Sequence, residues 1–302
     1  MEADNILAAR RAPGRSLALE DQTLREALQM HPWPLPVRAR RLLVEELRRA
    51  GLRRLQVGAL VRRDRLPQMA HSDELISKIN QLPGLEVWAL VLNEKGLQRA
   101  RQCGLQNVAL SASLAPIHSQ RNLGCAVAEG LERCLALAEL ALAWGLGVRM
   151  GLQCAFGGPM FKPPQPEELL ALLRPFSHLG VPRLALADTA ARAKAVGIAE
   201  TLACLRAGLP GAELGLHLHG EPEQLTANLE AAWAGGADWL DVTLAGRGGC
   251  PFLPGRPPAN LSTRQAVEFL NQKGLDSGVD LMRLDRTAAV LGTLLADIGV
   301  GA

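Results

Sequence analysis

Short apolar runs of strand length alternate with longer stretches of helical periodicity along nearly the whole chain. Consecutive β/α units and a parallel sheet impose this pattern. The runs 16–24, 52–57, 86–91, 108–111, 147–154, 183–187, 213–217 and 239–243 predict strands, about eight in all, the number a (β/α)8 TIM barrel needs. Helical patterns at 37–50, 72–81, 95–103, 126–144, 166–179, 196–207, 221–235 and 262–271 lie between them, and 279–298 predicts one or two further helices. Ser72 and Ser262 stand where N-caps are expected. The proline cluster at 162–166 reads as a βα loop entering a helix. The expected architecture is an α/β fold: one TIM-barrel domain over 1–302, with 1–15 as a flexible tail and 279–302 as C-terminal helices packed on the barrel. A doubly wound open sheet shares the alternation, but no G-x-G-x-x-G follows the first strand.

Composition narrows the function more by exclusion than by assignment. The 302 residues are 48% hydrophobic and 21% charged, enough to build a large core. Net charge is only +3, Lys and Arg are scattered, Tyr is absent and aromatics make up 3%. Neither an electrostatic footprint for nucleic acid nor a base-stacking platform is present. Six cysteines with no C-x-x-C pair fit a reducing, cytoplasmic setting better than a disulfide framework. The most apolar stretch, 135–148, contains Glu139 and is too short to span a bilayer. No membrane association is expected, and the first residues lack the apolar core of a signal peptide.

Candidate chemistry lies at the predicted strand ends, where barrel active sites are built. Arg25 and Glu26 close the first strand, His217 and His219 the seventh, and Asn260 follows the eighth. In a closed barrel these strands are neighbours. Two histidines separated by one residue on extended chain point to the same side. With Glu26 and Asn260 they would make a mixed nitrogen and oxygen site suited to Mg²⁺ or Mn²⁺. The glycines of 246–251 give a backbone able to close over a ligand and present Cys250. Asp188 and Thr189 end the sixth strand. Each feature has a plainer alternative: packed histidines, an exposed Arg25–Glu26 pair, a buried hydrophobic Cys250, and Asp188 as a helix cap. His31, His71, His118 and His178 lack any partner pattern and are expected to be surface or structural. Glu167 and Glu168 suit the first turn of a helix.

The stretch LHLHG at 216–220, and AGRGGCP at 245–251 followed by Asn260, closely resemble the 3-hydroxy-3-methylglutaryl-CoA lyases. The similarity extends to LPQMAHSDEL, CAFGGP and LADT, while DQTLREALQ resembles a segment of the wider metallolyase superfamily, which includes isopropylmalate and homocitrate synthases. The resemblance implies a (β/α)8 barrel that binds Mg²⁺ or Mn²⁺ through Glu26, His217, His219 and Asn260. It implies that Arg25 stabilises an enolate oxygen and that Cys250, on a closing loop, takes part in acid/base steps, with His217 and Asp188 also in the catalytic group. Gln29, Gln56, Thr189, Gly248 and Gly249 are the expected contacts to an acyl-CoA substrate. Retro-Claisen cleavage to acetyl-CoA and a 3-oxo acid, by a homodimer or larger homo-oligomer, is the activity implied. Glu26 stands where lyases have Asp, Gln56 where an acidic residue is usual, Gly220 where Asp follows the second histidine, and Gly158 where a second cysteine stands. These departures predict altered proton handling or substrate choice. A Claisen-condensing acyltransferase using acetyl-CoA and a 2-oxo acid stays open as an alternative, motivated by 23–26. So does a catalytically impaired binding protein, motivated by Gln56 and Gly220.

Overall fold

Eight parallel strands close into a barrel in sequence order: β1 (Ala18–Asp21), β2 (Arg54–Ala59), β3 (Glu86–Leu90), β4 (Asn107–Ser113), β5 (Gly147–Gln153), β6 (Arg183–Ala187), β7 (Glu213–His217) and β8 (Trp239–Val242). The computed structural model describes residues 17–253 and 257–300, so the predicted tail and Ser16 lie outside the described residues. Apolar runs such as Leu184 to Leu186 are buried on both faces, as a barrel surrounded by helices requires. The helices are α1 (Val37–Arg49), α2 (Ser72–Ile79), α3 (Glu94–Gln102), α4 (Pro116–Leu123), α5 (Val127–Ala143), α6 (Pro166–His178), α7 (Ala195–Gly208), α8 (Pro222–Ala234), α9 (Thr263–Gln272) and α10 (Leu281–Val300). Among the described residues no helix is long and apolar enough to cross a membrane.

Local chemistry explains several boundaries. Ser262 accepts the Gln265 N–H at 3.1 Å, capping α9 as its sequence predicts. Pro166 opens α6 after the proline cluster, and Gln165 and Glu168 form a capping box there. Ser72 does not cap α2. It is the first helical residue, preceded by His71 in a left-handed conformation, and its hydroxyl donates to the Met69 carbonyl at 2.7 Å. β1 is shorter than its apolar run suggests. Asp21 accepts the N–H and the hydroxyl of Thr23 at 2.9 and 3.0 Å, and the chain turns into a wide helical turn over Thr23–Ala27. The reading of 279–298 resolves to one helix, α10, which packs on α1.

Register sets the interior. Glu20 on β1 lies opposite Asp241 on β8, and Asp241 lies opposite His217 on β7. Three polar side chains from adjacent strands are thereby held at one level. Beyond β8 the chain folds back beside 218–220: the Leu261 N–H donates to the Leu218 carbonyl at 2.9 Å and Gly220 N–H to the Ala259 carbonyl at 3.0 Å. That short pairing places Asn260 next to His219.

Candidate active site

At the C-terminal mouth of the barrel, Glu26, His217 and His219 each offer one ligand atom, and these atoms lie within 4.8 Å of one another. Glu26 arrives on the helical turn after β1, not on the strand itself. His217 ends β7, and His219 follows two residues later. All three are buried. His217 Nε2 stands 4.0 Å from Glu26 Oε1.

Hydrogen bonds behind the rings set their tautomers. His217 Nδ1 lies 3.1 Å from Asp241 Oδ2, an acceptor only, so Nδ1 carries a hydrogen and Nε2 is the nitrogen turned toward Glu26. His219 Nδ1 lies 3.0 Å from the Asp188 carbonyl, with the same consequence. Burial and the neighbouring His217 hold the pKa of His219 well below the usual imidazole value, so its ring is neutral. Its Nε2 is buried without a partner, and so is Oδ1 of Asn260, whose Nδ2 donates to the Arg247 carbonyl at 3.1 Å. An unpaired buried acceptor costs roughly 1–3 kcal/mol. Two such acceptors beside a carboxylate and the Nε2 of a second imidazole are what a cation would satisfy. The donor set therefore fits a divalent metal ion.

The other predicted residues are distributed around this centre. Arg25 pairs with Glu26 and donates from Nε to Gln56 Oε1 at 2.8 Å. The pair is largely buried, not exposed. Gln56 thus supplies a neutral acceptor to a cation. Gln29 spans the carboxylate and the glycine loop, donating to Glu26 Oε2 at 3.1 Å and to the Gly249 carbonyl at 3.2 Å. Gly248 and Gly249 have φ of +120° and +123°. A Cβ on Gly248 would stand 2.6 Å from Asn260 Nδ2 and 2.9 Å from the Glu26 backbone, so only glycine lets the loop pass this close. Thr189 lines the cavity and accepts the Cys154 N–H at 2.8 Å. Asp188 is buried behind that wall. Its Oδ1 accepts the Arg192 N–H at 2.7 Å, in the manner of a cap, while Oδ2 has no partner and burial raises its pKa to about 6.

Sequence reasoning set His118 aside, and the structure corrects this. The short helix α4, absent from the expected elements, turns the ring inward so that Nε2 lies 3.0 Å from Cys250 Sγ. Asp241, Arg149 and Glu20 were also missed. Arg149 forks onto both oxygens of Asp241 at 3.1 Å and reaches Glu20 at 2.5 Å, and Asp241 in turn orients His217. A charged residue within an otherwise apolar predicted strand was the available indication. His31 is only partly exposed, and His71 and His178 are exposed.

The cavity above the cluster has small or apolar walls in Ala109, Gly151, Ala185 and Leu90, and a rim that includes Arg65 and Phe252.

The HMGL-like family model matches residues 16–291. The hydroxymethylglutaryl-CoA lyase of Pseudomonas mevalonii is 33% identical over 273 residues, covering 89% of this chain and 90% of the relative. The 3-hydroxy-3-isohexenylglutaryl-CoA/hydroxymethylglutaryl-CoA lyase of Pseudomonas aeruginosa is 31% identical, covering 89% and 90%. A crystal structure of hydroxymethylglutaryl-CoA lyase from Pseudomonas aeruginosa superposes with a TM-score of 0.86 at 29% identity and covers 93% of each chain.

Proposed function

The chain belongs to the HMGL-like family, and we propose that it is a divalent-cation-dependent carbon–carbon lyase that cleaves a 3-hydroxy-3-methylglutaryl-CoA-like thioester. The products are acetyl-CoA and a 3-oxo acid. The observation that carries this reading is the convergence of Glu26, His217 and His219 beside two unpaired acceptors, His219 Nε2 and Asn260 Oδ1, under a glycine-rich loop.

Glu26, His217, His219 and Asn260 would hold Mg²⁺ or Mn²⁺. Bound there, the ion would polarise the hydroxyl and carbonyl oxygens of the substrate. The remaining roles belong to the chain. In the cleavage, the C3 hydroxyl gives up its proton, the C2–C3 bond breaks, and its electrons pass to the thioester as an enolate, which is then protonated on carbon. Arg25, steadied by Gln56 through Nε, keeps guanidinium N–H groups for the enolate oxygen. Cys250, on the loop beside the cavity, handles protons, while Asp188, behind the wall, holds His219 through its backbone carbonyl. Gln29 ties the Gly249 carbonyl to the Glu26 carboxylate, coupling loop position to the cation site. Thr189 and the apolar walls receive the acyl group. Gly248 and Gly249 keep the loop close to Glu26 and Asn260. The six free cysteines favour a cytoplasmic setting, and a homodimer or larger assembly is expected.

The test is a cleavage assay with 3-hydroxy-3-methylglutaryl-CoA and its isohexenyl analogue, with Mg²⁺ and with Mn²⁺, beside a thermal-shift titration of each ion. Acetyl-CoA release that depends on the ion is expected. Bound metal with no turnover of either thioester would discard the lyase reading.

A further inference from the structure

Cys250 does not stand alone over the cavity. His118 Nε2 lies 3.0 Å from its Sγ, and His118 Nδ1 lies 2.9 Å from the hydroxyl oxygen of Ser113 at the end of β4. That oxygen also accepts the Ala115 N–H at 3.3 Å, and its own hydrogen can reach the Ala115 carbonyl at 3.4 Å. With the Ser113 hydrogen directed to that carbonyl, Nδ1 of His118 is the donor to Ser113. The bare Nε2 then faces the thiol. His118 and Ser113 are both buried, and Cys250 lines the cavity beside Arg25 and Glu26.

We propose that His118 is the proton partner of Cys250, forming a Ser113–His118–Cys250 relay that takes up the proton released by the substrate hydroxyl and later returns one to the enolate carbon. This rests on the lyase reading for its substrate, but the thiol–imidazole pair can be tested without turnover. In the forward half, Sγ accepts the hydroxyl proton as its own hydrogen passes to Nε2, leaving a neutral thiol and an imidazolium. In the return half, Sγ gives its hydrogen to the enolate carbon as Nε2 gives its proton back to Sγ. No proton is gained or lost overall, and the neutral pair is restored. At rest the proton stays on sulfur: burial pushes the thiol pKa up to about 12 and the imidazole pKa down to about 4. Because His118 acts through Cys250, it is a positioning residue. Its contact also joins α4 to the glycine loop, so the same bond that aligns the sulfur seats the loop over the mouth.

The experiment uses the full chain with His118→Phe, which keeps a ring of similar size without nitrogens, and His118→Gln as a second variant should the first not fold. Three readouts are needed. In ¹⁵N-histidine spectra of the wild type, His118 should show a bare Nε2 and a protonated Nδ1, and the Nε2 resonance should move in Cys250→Ala. Iodoacetamide labelling of the Cys250 peptide at pH 7.5 should slow by about 10-fold in His118→Phe, since the thiol loses the base that receives its proton. In the cleavage assay kcat should fall on the order of 10²-fold with KM retained, the usual cost of losing a positioned acid or base. Unchanged labelling and kcat in the Phe variant, or a hydrogen on Nε2, would overturn the relay. If the wild type turns over no thioester yet the nitrogen shifts and labelling behave as stated, the pair stands and the lyase reading fails.

Discussion

The barrel interior and the barrel mouth both bury charged and polar side chains, but they treat them differently. Inside, Arg149 satisfies Glu20 and Asp241 together, and Arg183 lies over the rings of Trp88 and Trp239 while reaching Glu20 at 3.3 Å. The charges there answer one another. At the mouth, His219 Nε2 and Asn260 Oδ1 are buried without partners. Paired burial holds a structure in register, whereas unpaired burial of acceptors around one point invites a ligand. Asp241 joins the two regions, since one of its oxygens takes both an Arg149 nitrogen and His217 Nδ1.

A change at the mouth should therefore cost activity and a change inside should cost folding. The largest effect is expected for His219→Ala. Its ring has no structural partner on Nε2, so turnover should fall by roughly 10³-fold or more, in keeping with several kcal/mol supplied by a bound metal. The metal-induced thermal shift should vanish, and the metal-free denaturant midpoint should fall only by the loss of the Nδ1 bond to the Asp188 carbonyl, about 1–3 kcal/mol. A full thermal shift in this variant would remove His219 from the cation site. Arg149→Met should instead destabilise by about 3–5 kcal/mol, because Glu20 and Asp241 are left buried with their shared cation gone; urea unfolding measures this directly.

Asp21 sharpens the comparison, since among the described residues its acceptor oxygens meet only Thr23 and Thr263 hydroxyls and one N–H. Burial raises its pKa from 3.8 to about 7. A carboxyl whose folded pKa exceeds its unfolded value stabilises while protonated, so its contribution is lost as pH rises from about 4 to about 7. Asp21→Asn should therefore gain stability relative to wild type across that window, on the order of a few kcal/mol. Parallel urea curves at pH 4.5 and pH 7.5 with a constant difference would contradict the assignment.

Asp241→Asn should fall between the two regions. It weakens the acceptor behind His217, for which a loss of about 10–100-fold in metal affinity is expected by calorimetric titration. The smallest effect belongs outside both: Ser262→Ala removes one cap from α9 and should cost ~1 kcal/mol in unfolding free energy with KM unchanged.

Much of this is legible in the sequence. The alternation of short apolar runs and helical periods identified the barrel, because side-chain period and segment length are local properties. The ends of β6 and β7 were read correctly to the residue, where Ala187 and His217 close their strands. His217, His219 and Glu26 were legible as metal-ligand types near strand ends. Two local readings failed for local reasons: Asp21 folds its side chain back onto Thr23 and ends β1 early, and Ser72 bonds backward to Met69 instead of forward into α2.

What the chain alone determined is its element types, their order and the kinds of donor it carries, since these follow from residues close together in sequence. Only the closed barrel decided which donors meet. Strand register put Glu20, Asp241 and His217 at one level, the return of 259–262 brought Asn260 to His219, and α4 carried His118 across 132 positions to Cys250. Each of these meetings depends on packing between distant segments, to which no periodicity within a segment is sensitive.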